Sequence, residues 1–200
     1  NTGDIDVQAA GLAQGIVALS YYGNVGILNA GDVTASSSGG YSQAVALRSG
    51  TGYNAVLQNY GTITAGSGNA LAVSITGGNG VISNYGDISG GMLTDAGDDY
   101  VRNYEGGRIF LSDDTIDLGG GYNYFLNEGR LYADGVNNVI DMGYYGGGEG
   151  GYYYGLFVND GSSIHMNDGA ADDALTIIGD FTGTGDVNVD VDGASLTSDM

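Results

Sequence analysis

Short runs of four to six residues, in which apolar side chains alternate with small or polar ones, recur along the whole chain. One set reads VGIL from Val25, AVLQ from Ala55, GVIS from Gly80, DYVR from Asp99, YFL from Tyr124 and GLFV from Gly155. A second set, including DVTA from Asp32 and TITA from Thr62, follows the first at close range. A third, GIVALS from Gly15, AVALRS from Ala44 and ALAVSI from Ala70, falls between them in the first part of the chain. Runs this short, rich in Val, Ile, Leu, Phe and Tyr and bounded by Gly, Asn, Asp or Ser, predict β-strands. No window carries a 3.6-residue apolar stripe long enough for a helix.

The first two sets are joined by a repeated corner of the form Asn, any residue, Gly, any residue, aliphatic. It appears as NTGDI at Asn1, NAGDV at Asn29, NYGTI at Asn59, NYGDI at Asn84 and NEGRL at Asn127. Two longer versions are NYEGGRI at Asn103 and NDGSSI at Asn159. The repeat is irregular in length, so its loops vary while its corner does not. Two or three short strands per repeat, with a fixed corner, describe one coil of a parallel β-solenoid, and seven corners predict roughly seven to eight coils. At about 4.8 Å per coil the rod is expected to be about 35 to 40 Å long. Gly and Asn are expected at corners because they tolerate left-handed backbone, and stacked Asn side chains can pass amide hydrogen bonds from coil to coil. An antiparallel sandwich or barrel also gives short strands, but does not call for the same corner in every repeat.

Composition sharpens this picture. The chain has 200 residues with 40 Gly, 16 Tyr, no Pro, no Cys and no Trp, and four cationic side chains against 24 carboxylates give a formal net charge of −20. Hydrophobic content of 42% suffices for a continuous core and is too high for an acidic disordered tail. The charge excludes phosphate-backbone and polybasic membrane binding. Lack of Cys removes disulfides, thiolate catalysis and thiolate zinc sites. No apolar stretch approaches the ~20 residues of a membrane helix, and Asn1 follows no leader, so the sequence reads as a mature piece or fragment of a larger protein.

The corner array, with runs like AVALRS between corners, resembles the passenger region of Gram-negative autotransporters. DDTIDLGGGYNYFLNEGRLYA from Asp113 is similar to that family's later passenger coils. DDALTIIGDFTGTGDVNVDVDGASLTSDM, from Asp172 to Met200, resembles the lead-in to its autochaperone region. The resemblance implies a right-handed parallel β-helix, a single solenoid over residues 1–200 with its last coils at 172–200, and an extracellular or outer cell-surface location.

Candidate chemistry is sparse. Asp98 and Asp99, Asp113 and Asp114 (with Asp117 near by), and Asp172 and Asp173 are adjacent carboxylates. Solvated turns are the expected role; calcium ligation and glycosidic catalysis by paired carboxylates are the alternatives. His165, the single histidine, has no accompanying nucleophile motif and is expected on a strand face. No catalytic residue and no cofactor is assigned, with calcium the one left open. The seven corner residues Asn1, Asn29, Asn59, Asn84, Asn103, Asn127 and Asn159 are the candidate structural ladder. Tyr60, Tyr85 and Tyr104 share one slot of the corner and are expected to stack. With Tyr144, Tyr145, Tyr152, Tyr153 and Tyr154, which flank a Tyr/Gly-rich inserted loop at 143–155, they form the candidate contact surface. The functional expectation is a non-enzymatic structural or adhesive solenoid that self-associates, end to end or laterally, or binds a host or matrix protein or glycan. The alternative is a carbohydrate-active β-helix enzyme, a lyase or hydrolase.

Overall fold

The computed structural model describes residues 1–66, 70–146, 152–192 and 197–198. Three strands make each coil. The first coil is β1 (Ile5–Ala9), β2 (Ala13–Leu19) and β3 (Val25–Asn29), and the second β4 (Asp32–Ser37), β5 (Ser42–Arg48) and β6 (Asn54–Asn59). The third is β7 (Thr62–Ala65), β8 (Ala70–Thr76) and β9 (Asn79–Asn84), and the fourth β10 (Asp87–Ser89), β11 (Gly91–Leu93) and β12 (Tyr100–Asn103). The fifth is β13 (Arg108–Ser112), β14 (Thr115–Asp117) and β15 (Tyr124–Asn127). In the sixth, β16 (Arg130–Asp134) and β17 (Asn138–Asp141) lead into a small antiparallel pair, β18 (Tyr144–Gly146) and β19 (Tyr152–Tyr154), before β20 (Leu156–Asn159). The seventh is β21 (Ser163–Met166), β22 (Leu175–Ile178) and β23 (Asp180–Gly183), followed by β24 (Asp186–Val189) and a second short antiparallel pair, β25 (Val191–Asp192) and β26 (Thr197–Ser198).

Equivalent strands of successive coils pair in parallel to build one eight-stranded and two seven-stranded sheets. The protein is therefore a parallel β-helix of seven full coils and the start of an eighth. Register is strict: Ile63 pairs with Ile88, Ile88 with Ile109 and Ile109 with Leu131 in the first sheet, and Leu57 with Ile82 in the third. Alternation along each strand sends these residues inward, where they are fully buried. Phe125 and Phe157 fill the later coils, their rings 4.9 Å apart and edge to face.

The corner glycines have a different reason to exist from the expected one. Gly31, Gly61, Gly86 and Gly129 do not have positive φ, and Asp113 is the only non-glycine residue, among those described, that does. What these glycines supply is closeness. A Cβ on Gly61 would lie 2.2 Å from the carbonyl oxygen of Gly31, and one on Gly86 would lie 2.1 Å from that of Gly61. Backbone stacks directly on backbone there, and any side chain would force the coils apart. Left-handed glycine appears at these corners where residues are inserted, at Gly106 (φ 91°) and Gly161 (φ 61°).

Candidate functional site

Between the third and first sheets, Asn29, Asn59, Asn84, Asn103, Asn127 and Asn159 are buried in one column, with Asn1 at its exposed start. Each Nδ2 donates to Oδ1 of the next asparagine at 2.8 to 2.9 Å, from Asn1 through to Asn159. The same amides at Asn29, Asn59 and Asn84 also donate to the carbonyl of the glycine two residues on. A primary amide carries both donors and acceptor, so an unbroken column satisfies every buried member.

Tyr60, Tyr85 and Tyr104 stand outside this column and are brought together. Centroids are 4.6 Å apart between Tyr60 and Tyr85 and 4.0 Å between Tyr85 and Tyr104, with near-parallel planes. Arg102 closes the stack, its guanidinium 4.1 Å from the Tyr104 ring and doubly bonded to Glu128 at 2.7 and 2.9 Å. A hydrogen bond with the Tyr104 hydroxyl, with some burial, pushes the Tyr85 phenol up to about 12. Tyr85 is covered on both faces and Tyr104 lies between Tyr85 and Arg102, while Tyr60 at the start of the stack is half exposed.

The other tyrosines lie across the third sheet from that stack, so the two groups do not form one site. Tyr144 pairs with Tyr154 and Tyr145 with Tyr153 in the β18–β19 ladder, all four about half exposed, and Tyr145 meets Tyr122 edge to face at 6.1 Å. The backbone of Tyr152 belongs to β19, while its side chain and residues 147–151 lie outside the described set. A third aromatic row on the first sheet escaped the sequence reading. Phe110 stacks on Tyr132 and Tyr132 on His165, each at 4.8 Å. The signal was the shared slot in RIF, RLY and SIH, one residue after the inward aliphatic.

The adjacent aspartates divide by position. Solvated turns describe Asp98, Asp113 and Asp172, which are exposed, but their successors turn inward: Asp99 and Asp173 are buried and Asp114 is half-buried. Backbone donors explain this. Asp99 Oδ1 accepts from Gly80 N at 2.5 Å, Asp114 Oδ2 from Ser112 N at 3.0 Å and Asp173 Oδ1 from Gly135 N at 2.7 Å. The exposed members also tie coils together, Asp98 accepting from Tyr122 N and Asp113 from Asn137 N. Burial pushes the Asp99 carboxyl up to about 6, and raises that of Asp114. Asp113 and Asp114 help line a groove of about 450 Å³ with Tyr41, Leu71, Leu93 and Thr115. Asp173 converges with Asp134 and Asp168, their carboxylate oxygens within 4.8 Å of one another. Three oxygens so placed are the donor type that calcium takes.

No protein-family model, curated protein or solved structure matches the chain.

Proposed function

We propose that this β-helix is a non-enzymatic structural and adhesive segment, a rigid stalk displayed outside a Gram-negative cell in the manner of an autotransporter passenger. The observation that carries the reading is the employment of the carboxylates. Asp98, Asp99, Asp113, Asp114 and Asp173 accept backbone N–H groups, four of the five bonds reaching across to a neighbouring coil and that of Asp114 holding its own turn, which spends them on holding the rod together. Meanwhile, the aromatic side chains that face solvent sit on a stiff, repetitive scaffold, an arrangement suited to contact over a length of rod. The resemblance of the 172–200 segment to an autochaperone lead-in supports the secretion route.

The alternative is a carbohydrate-active enzyme, favoured by the Asp113–Asp114 groove, where one carboxyl is raised by burial beside another that is exposed. Glycosidases need such a pair. Incubation with a panel of neutral and acidic polysaccharides, with and without calcium, separates the two readings. The stalk reading expects no new reducing ends and no unsaturated products. Sustained turnover that is lost in Asp114→Asn overturns it.

A further inference from the structure

The outer face of the third sheet is built like an inner one. Sheet strands covered on one side alternate apolar with polar, whereas strands covered on both sides read as near-continuous apolar runs. First-sheet strands of the early coils follow the former rule, with Asp32, Thr34, Asp87 and Ser89 pointing outward between buried aliphatics, before Phe110 and Tyr132 take the outward slot further on. Third-sheet strands follow the latter. Val81, Tyr100, Tyr124, Leu126, Leu156 and Val158 all face out and are half-buried, while Ile82, Val101, Phe125 and Phe157 beside them fill the core. In a lone rod nothing in the fold accounts for the apolar outer row.

Charge narrows what could cover it. Arg102 is the only ionic side chain in β6, β9, β12, β15 and β20, and it is closed by Glu128. The remaining outer surface of a molecule of net charge −20 is dominated by carboxylates, with Asp6, Asp32, Asp87, Asp134 and Asp186 on first-sheet strands alone. A cationic partner would be drawn to those faces and not to this one. A partner fitting this face must be uncharged there, flat, and matched to a repeat of about 4.8 Å. Over β6 to β20, short of Asp180 on β23, the same face of another copy meets all three requirements and sets no strand carboxylates opposite one another.

We infer that the outer face of the third sheet is a lateral pairing surface for a second copy of this chain, the two sheets packing face to face about a two-fold axis. This deepens the structural reading above, on which it rests, by naming the partner and the face. Five strands of about four residues give a patch roughly 20 Å by 13 Å, a few hundred Å² and smaller than the roughly 800 Å² per partner of a standard interface. Pairing is therefore weak and reversible, and depends on several copies side by side or on high local concentration for its strength. It also has a distinctive salt response. Contacts between opposite charges weaken with salt, but here the opposing force is repulsion between two −20 rods, so salt tightens pairing.

Sedimentation equilibrium of the full chain over a concentration series, at low and high sodium chloride, tests this. The expected result is a monomer–dimer equilibrium about tenfold tighter at high salt, weakened at least about tenfold by Tyr124→Asp or Leu156→Asp and unchanged by Thr64→Asp on the first sheet. Circular dichroism and melting confirm that each variant folds, with Leu126→Gln as the milder replacement. The cysteine-free background gives a second measurement. Val81→Cys copies should oxidise to a covalent dimer faster than Thr64→Cys copies. A monomer at every concentration and salt, a dimer indifferent to Tyr124→Asp and Leu156→Asp, or association that weakens with salt overturns the inference. So does protection of this face by an added neutral glycan in a protein that stays monomeric. Polysaccharide turnover, by contrast, would overturn the stalk reading without touching the pairing result.

Discussion

Two corners of the same coil solve the same problem with different chemistry. Where the third sheet meets the first, each of the first six coils places an asparagine in the interior, and these amides both give and receive. Where the second sheet meets the third, the inward row holds Val25, Ala55, Gly80, Asp99, Asn123 and Gly155, with no common residue type. In that row Asp99 takes the N–H of Gly80 on one oxygen, and its carboxyl is buried beside the Thr94 hydroxyl. Gly80 makes the arrangement fit, since a Cβ there would lie 2.8 Å from Asp99 Oδ1. The difference shows that a buried column needs a group with both donors and acceptor. A carboxylate substituted into such a place accepts only, and its remedy is to keep a proton.

Exchanging the two groups breaks the comparison most directly. Asn84→Asp puts a carboxylate opposite the acceptors Gly86 O, Asn103 Oδ1 and Arg108 O, which now receive from the Asn84 amide. Removing that donor and burying a charge should cost about 4 kcal/mol at neutral pH, read as a loss of denaturation midpoint that partly recovers in acid. The reverse exchange, Asp99→Asn, should stabilise the protein above pH 6. The Asp99 carboxyl sits at about 6 in the folded chain against 3.8 for an ordinary aspartate, so between those values the folded state holds a proton that the unfolded state has released. Its contribution is intact below pH 4 and lost as pH rises through 6, by about 3 kcal/mol in all. Wild type and Asp99→Asn should therefore have similar stabilities near pH 3.5 and diverge by pH 7.5 in urea titrations.

Smaller effects sharpen the same contrast on the solvent side of the amide corner. Truncating both Arg102 and Glu128, alone and together, should give a coupling under about 1 kcal/mol, because both side chains remain partly exposed. Tyr85→Phe should leave the fold intact and remove one phenol that titrates near 12 by ultraviolet absorbance. If either change destabilised the protein as much as Asn84→Asp, the outer stack and not the inner column would be the main fastening of this corner.

The coil count, the strand runs and the corner slot were all legible in the sequence because they repeat: stacking puts equivalent residues in contact, so NYGTI and NYGDI are each other's environment. What does not repeat was not legible. Asp99 looks like Asp98 in a sequence, and only the register of β12 with β9 sends one inward over Gly80 and the other out. Asp173 meets Asp134 and Asp168 across a gap of coils and loops of unequal length, which no spacing rule encodes. The reason for the corner glycines was not legible either, since contact between the backbones of successive corners leaves the same residue in the sequence as a left-handed turn does.

The asparagine column also has a sense. Every amide in it donates toward the C-terminal coil and none donates back, and Asn159 passes its donor on to Asp186 O. Seven side-chain dipoles consequently point one way, each polarising the next. The rod thus carries a one-way chain of amide dipoles, closed at its start by the Gly3 N–H on Asn1 Oδ1 and at its end by the Asp186 carbonyl, so that each coil laid down orients the amide of the one that follows.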